Sequence, residues 1–251
     1  MGKTKKRAEA AAKVALLDHL QKRKRLSAHS VVASELLIAR QTVRADIVHV
    51  ARKVAAYEIK TASDSLVRLS RQMDAYAAVF DEVWVVAATR HLDRVAAEAP
   101  ATAGIYELAG QVNAPSIKLH RAARKSDSVA ASSLLDALPV DAILSLMRAG
   151  GVRNPPRLRR DATDLALSLP LQHIRTHFRS FLLARYGHSS AQFQAAIATR
   201  GIAVRDLELL RAWEPLVRKT DDSQGSAITR GEGYGSTFGP VPDDIKALLA
   251  A

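Results

Sequence analysis

The chain contains no cysteine. That single absence removes disulfides, thiol nucleophiles, cysteine-ligated zinc and iron–sulfur clusters, and it fits a reducing compartment. Aromatic residues make up only 5 %, too few for an evident base-stacking platform of the sort single-strand binders use. No apolar run approaches the roughly 18 residues that a membrane span needs. The N-terminal segment is basic and then amphipathic, and Lys13, Asp18 and His19 interrupt the apolar core a signal peptide requires. The expectation is a cytoplasmic protein with no membrane partner.

What is present points to a polyanion. The 251 residues are 48 % hydrophobic and 25 % charged, enough for a sizeable core and against global disorder. The 37 Lys and Arg outnumber the 25 Asp and Glu, a net charge of +12. The excess is concentrated: residues 1–25 carry nine Lys and Arg against two acids, and residues 145–185 carry eight Arg against two acids. Each patch alone reads equally well as a solvated helix face. Together they look like two contact surfaces for one nucleic acid.

Periodicity gives the order of elements. Residues 8–22 have a helical stripe of Val14, Leu16, Leu17 and Leu20. Residues 30–37, 43–50 and 54–60 are short, rich in Val, Ile and Leu, and separated by a few residues, so they read as three sequential strands, with antiparallel pairing expected. Residues 64–80 return to helical period, with Ser63 or Asp64 as the cap. Residues 83–88 (VWVVAA) are apolar on both alternations, as in a strand covered on both faces. A helix at 89–98 and strands near 104–108 and 115–120 follow. After residue 125 only helices are expected, at 128–137, 140–149, 160–168, 170–186 and 189–199. Five of the twelve glycines fall within 220–240, which reads as a flexible tail before a short last helix.

The chemistry-bearing residues begin with Tyr57-Glu58-Ile59-Lys60. In a strand, Glu58 and Lys60 share a face. Asp46 interrupts the otherwise apolar ADIVHV strand, and a carboxylate there is costly unless it binds something. A hairpin lets Asp46 and Glu58 converge. Two carboxylates form an all-oxygen site suited to Mg²⁺ or Mn²⁺, and a neighbouring lysine can hold water or balance developing charge, the parts required for metal-assisted phosphodiester hydrolysis. Arg68, Gln72 and Tyr76 then form a polar row at i, i+4 and i+8 on the following helix.

This combination resembles the PD-(D/E)XK nuclease superfamily. Gln72-Met73-Asp74-Ala75-Tyr76 is similar to the Gln-x-x-x-Tyr motif of its RecB-like branch. Arg44-Ala45-Asp46, Tyr57 to Lys60, Arg68-Leu69 to Tyr76 and Phe80-Asp81-Glu82-Val83 are also similar to the pattern of a bacterial and phage family with an N-terminal nuclease-like core and a helical second half. The resemblance implies an α/β fold with a restriction-endonuclease-like mixed sheet flanked by helices, followed by an all-helical extension. The resemblance covers roughly residues 8–120; with the helical periodicity after 125 and the glycine-rich composition near the end, the expected division is a nuclease-like domain at 1–125, a basic helical region at 126–215 and a Gly-rich tail with a terminal helix at 216–251. The resemblance implies Asp46, Glu58 and the backbone carbonyl of Ile59 as ligands of Mg²⁺ or Mn²⁺, Lys60 as the residue that positions water, and Gln72 and Tyr76 as groups that orient the lysine or the DNA backbone. A further carboxylate would come from Glu9, which lies one heptad before Leu16, or, second in rank, from Glu35.

The expected function is therefore Mg²⁺-dependent hydrolysis of DNA. The alternatives are a catalytically inactive nuclease-fold adaptor that binds DNA, and an RNA-directed nuclease. Arg68, Arg153, Arg157, Arg159, Arg160, Arg175 and Arg179 are the expected phosphate contacts, with strong salt dependence and weak sequence preference. Pairing of two copies, or a partner protein, is compatible with cutting both strands. Other signals carry less. Gly2-Lys3-Thr4 lacks the upstream glycine of a phosphate-binding loop. His173 and His177 stand four apart without a neighbouring Glu and read as part of a basic helix rather than a zinc site. His49 and Trp84 read as packing residues.

Overall fold

In the computed structural model, which describes residues 2–27, 29–38 and 42–211, the first helix α1 (Gly2–Lys22) starts several residues before the apolar stripe does. Three strands follow: β1 (Val31–Ile38), β2 (Val43–Val50) and β3 (Val54–Lys60). Helix α2 (Leu69–Ala77) leads to β4 (Glu82–Ala88), and a short turn of 3₁₀ helix and α3 (Leu92–Glu98) lead to β5 (Gly104–Gln111) and β6 (Ala114–Arg121). The remaining described α-helices are α4 (Ala131–Ala137), α5 (Val140–Ala149), α6 (Arg159–Ala166), α7 (Leu171–Ile197) and α8 (Leu207–Arg211), with a 3₁₀ turn at Val204–Asp206 before the last. The tail and terminal helix expected at 216–251 lie outside the described residues.

The six strands form one mixed sheet in chain order. Strands β1, β2 and β3 pair antiparallel, β3, β4 and β5 pair parallel across the helical connections α2 and α3, and β6 returns antiparallel to β5. All seven residues of β3 and of β4 are buried, as parallel strands covered on both faces must be. One face packs on α1, α8 and the C-terminal end of α7 through Leu16, Leu17, Leu20, Ile47, Tyr57, Trp84 and Phe193. The other face packs on α2 to α6 and the N-terminal half of α7, so the sheet and the late helices share one core. Trp84 stacks on Tyr106 at 4.5 Å between centroids. Gly104 makes room for that ring, since a Cβ there would lie 2.3 Å from it.

Two differences from the expected helices have a clear cause. Helix α2 begins at Leu69 rather than 64 because Asp64 is used elsewhere: its Oδ2 accepts from the Thr61 backbone N–H at 2.8 Å and the Thr61 hydroxyl at 2.6 Å, and its other oxygen pairs with Lys5. That local turn competes with helix. The helices expected at 170–186 and 189–199 are one, α7, running through Gly187. Its first half belongs to one core and its second half to the other, so it crosses the β1 edge. There the Ser190 hydroxyl accepts the Val32 backbone N–H at 2.9 Å, which covers an otherwise open strand edge.

Candidate metal and phosphodiester site

The residues singled out on β3 and α2 form one hydrogen-bonded knot. Lys60 Nζ donates to Glu58 Oε1 at 2.7 Å and to Gln72 Oε1 at 2.8 Å. Gln72 Nε2 donates to the same Glu58 oxygen at 2.7 Å. The Tyr76 hydroxyl contacts Glu58 Oε2 at 2.5 Å and the Arg44 backbone carbonyl at 2.7 Å. Glu58 is 3 % and Lys60 6 % exposed. Burial and the adjacent Glu58 charge push the Tyr76 hydroxyl pKa far upward, so it remains a donor. Of the polar row, Gln72 and Tyr76 reach the sheet because Leu69, Met73 and Tyr76 anchor α2 on its buried side, whereas Arg68 is exposed.

Asp46 enters from β2. The last recorded β2–β3 pair is Ile47 with Tyr57, which puts Asp46 next in register to Glu58. Here a side chain bridges the strands: Asp46 Oδ2 accepts the Ile59 backbone N–H at 2.7 Å. Ile59 thus meets Asp46 through its N–H. Burial first, and the Glu58 charge second, raise the Asp46 pKa to about 7, against the pull of Lys13 and of the Ile59 N–H.

Both carboxylates ranked as candidates for the further ligand are present. Oxygens of Glu9, Glu35 and Asp46 lie within 4.8 Å of one another. The pairs Ser34 with Ile47 and Leu36 with Ala45 place Glu35 opposite Asp46. Glu35 has a φ of 62° in mid-strand, a conformation costly for a residue with a Cβ. It reverses the alternation of β1: Val31 belongs to the same core as Leu36 and Ile38. Strand β2 changes phase at the same level, with Val43 and Ala45 before Asp46 and Val48 and Val50 after it in that core.

Sequence reasoning missed Lys13 and the side chain of Arg44. Lys13 is 1 % exposed. Its Nζ pairs with Glu9 at 2.8 Å and closely with Glu35, while Arg44 Nε binds the other Glu35 oxygen at 2.6 Å. Burial alone would lower the Lys13 pKa, but its hydrogen bonds to Glu35 and Glu9 outweigh that and hold it above the usual lysine value. The available signal was a lysine within the α1 stripe, between Ala12 and Leu16, one turn after Glu9. The cluster opens on a cleft of about 540 Å³ whose walls include Lys6, Lys13, Arg44, Glu208 and Arg211.

The expected phosphate contacts are dispersed. Arg68 is exposed at the start of α2, and Arg153, Arg157 and Arg160 are exposed around the N-terminus of α6. Arg159 donates to the Leu135 and Leu138 carbonyls at the end of α4. Arg175 pairs with Asp81, and Arg179 donates to the Arg52 carbonyl at 3.2 Å. His49 and Trp84 are buried, as expected of packing residues. His177 bonds the Ala142 carbonyl at 2.8 Å.

Fold and site together define a mixed α/β protein with a buried carboxylate–lysine cluster at the level where β2 parts from β3. The chain belongs to the bacteriophage P4 protein cII family, whose model matches residues 2–211. It is similar to Protein cII of Enterobacteria phage P4, with 26 % identity over 200 residues, covering 79 % of this chain and 75 % of that protein. No solved structure matches. Among the described residues no helix is long and apolar enough to cross a membrane.

Proposed function

We propose that this chain is a divalent-metal-dependent phosphodiesterase of the PD-(D/E)XK type that acts on DNA in the cytoplasm of a bacterial host. The observation that carries the reading is the position of Asp46 next in register to Glu58, with Lys60 two residues on and Gln72 and Tyr76 bonded to the same carboxylate. The Glu9, Glu35 and Asp46 oxygens, all within 4.8 Å of one another, are a donor set that fits a hard cation, whereas the Glu58 oxygens accept from Lys60, Gln72 and Tyr76. Asp46 with Glu9 and Glu35 would hold Mg²⁺ or Mn²⁺, joined by Glu58 where it exchanges a hydrogen-bond partner for the ion, and the cation would supply Lewis-acid activation of the phosphodiester and of water. Gln72 and Glu58 fix the Lys60 ammonium, which can orient a water or neutralise charge developing on phosphate. Tyr76 holds Glu58 against rotation. A similar protein in a phage is in keeping with a nucleic-acid substrate.

The test is to incubate the purified protein with plasmid, linear and branched DNA, and with RNA, in Mg²⁺, Mn²⁺ or EDTA. Metal-dependent cleavage is expected to fall by about 10² or more in Asp46→Ala and in Lys60→Ala. Cleavage that survives both substitutions overturns the assignment, and preferential cleavage of RNA changes the substrate.

One observation favours a second reading, a nuclease-fold adaptor that binds DNA without metal. The Lys13 ammonium already compensates Glu9 and Glu35. On that reading DNA binding is unchanged by EDTA and no substrate is cut.

A further inference from the structure

A second concave site lies at the other end of β3. The strand runs from Val54 to Lys60, so its two ends are about 20 Å apart. A cavity of about 230 Å³ opens beside Val54, between the β2–β3 turn, the start of β4 and the N-terminal turns of α7. Its walls carry five cations, Arg52, Lys53, Lys125, Arg175 and Arg179, and one acid, Asp81.

The ion pairs leave most of that charge uncompensated. Asp81 is taken by Arg175, and its other oxygen accepts the Val54 backbone N–H at 2.8 Å. Lys53 pairs with Glu82 at 2.7 Å. Arg52, Lys125 and Arg179 have no ion pair with a described residue. The Arg179 guanidinium donates once, to the Arg52 carbonyl at 3.2 Å, which holds it beside Arg52 and leaves its positive charge without a counter-ion among the described residues. Three uncompensated cations thus meet around one hollow, Arg52 and Lys125 with exposed side chains and Arg179 half-buried.

We propose that this cavity is a binding site for a phosphate group, held by Arg52, Lys125 and Arg179, with Arg175 fixed beside them by Asp81. Guanidinium groups bind phosphate oxygens by charge-assisted, paired hydrogen bonds, and the ammonium of Lys125 adds a point charge. Its small volume and cations on several walls suit a monoester or free phosphate better than a diester inside a continuous strand. The site is separate from the carboxylate cluster and stands whether or not that cluster cleaves DNA.

The experiment uses the full chain in EDTA, so that cleavage plays no part. Inorganic phosphate is titrated by calorimetry and by thermal shift, against chloride at matched ionic strength. Saturable binding and a rise in Tm are expected, both weakened at least ten-fold in Arg52→Ala/Lys125→Ala, whose side chains are exposed, and in Arg179→Met. A thermal shift that chloride reproduces, or phosphate binding that persists unchanged in both variants, overturns the site. A second arm compares 5′-phosphorylated with 5′-hydroxyl oligonucleotides by fluorescence anisotropy. Tighter binding of the phosphorylated strand, lost in the same variants, assigns the phosphate to a strand end. Equal binding of the two strands beside saturable inorganic phosphate assigns it to a free phosphate.

Discussion

The two sides of the carboxylate cluster are built differently. On one side, Glu58, Lys60, Gln72 and Tyr76 come from a strand and the helix that follows it, within nineteen residues of sequence, with Glu58, Lys60 and Tyr76 buried and Gln72 half-buried at the edge. On the other, Glu9, Lys13, Glu35 and Arg44 come from α1, β1 and β2, and their side chains border an open cleft. The closed side is a rigid support, since removing one member strands the others in a medium that solvates charge poorly. The open side can exchange partners, because water and mobile cations reach it.

That contrast can be broken by mutation. The largest effect is expected for Glu58→Ala. It leaves the Lys60 ammonium without its carboxylate and should cost about 3–5 kcal/mol in urea unfolding. A loss below about 1 kcal/mol would mean the closed side is not the support described.

Acid should come next, through His49 on β2. Its Nε2 lies 3.0 Å from the Arg25 carbonyl, and burial depresses its pKa to about 4. The folded chain therefore binds the proton less readily than the unfolded chain. Stability from this residue is full above the ordinary histidine value near 6.5 and is lost as pH falls toward 4. The loss reaches at most about 3 kcal/mol, since one pKa unit is worth about 1.4 kcal/mol. Urea midpoints between pH 7 and 4.5 should show it, and His49→Gln should flatten the curve.

Tyr76→Phe removes the hydroxyl between Glu58 and the Arg44 carbonyl. It should cost about 1–2 kcal/mol and leave the fold intact by circular dichroism. The smallest effect belongs to the open side. Glu9→Gln removes one of two Lys13 partners, at a partly exposed carboxylate, and should cost less than about 1 kcal/mol. If Glu9→Gln destabilises more than Tyr76→Phe, the open and closed sides have been assigned the wrong way round.

The difference between the two sides also explains what was legible. Glu58, Lys60, Gln72 and Tyr76 could be placed together because strand and helix periods fix which side chains share a face. Glu9 and Glu35 were both named, but as competitors, whereas the structure brings both to Asp46. No local rule indicates that α1 lies over the edge of the sheet at the level of β1. Lys13 was passed over because an isolated lysine in an amphipathic helix ordinarily reaches solvent. The positive φ of Glu35 was also invisible, since a run such as VVASELLI reads as uninterrupted strand. The α7 region failed in the other direction. Two helices were expected there, at 170–186 and 189–199, yet packing on two cores and the Ser190 bond to β1 hold one helix continuous.

The sequence by itself determined the order of strands and helices, the basic balance of the chain and the Glu58–Lys60 face, all of which depend on residues a few positions apart. The tertiary structure alone decided which distant charges meet. It set Lys13 between Glu9 and Glu35, and it gathered Arg52, Lys125 and Arg179 around one hollow. The physical reason is reach: backbone periodicity orders side chains over a turn or two, whereas electrostatic compensation acts between any groups that packing brings within a few ångströms.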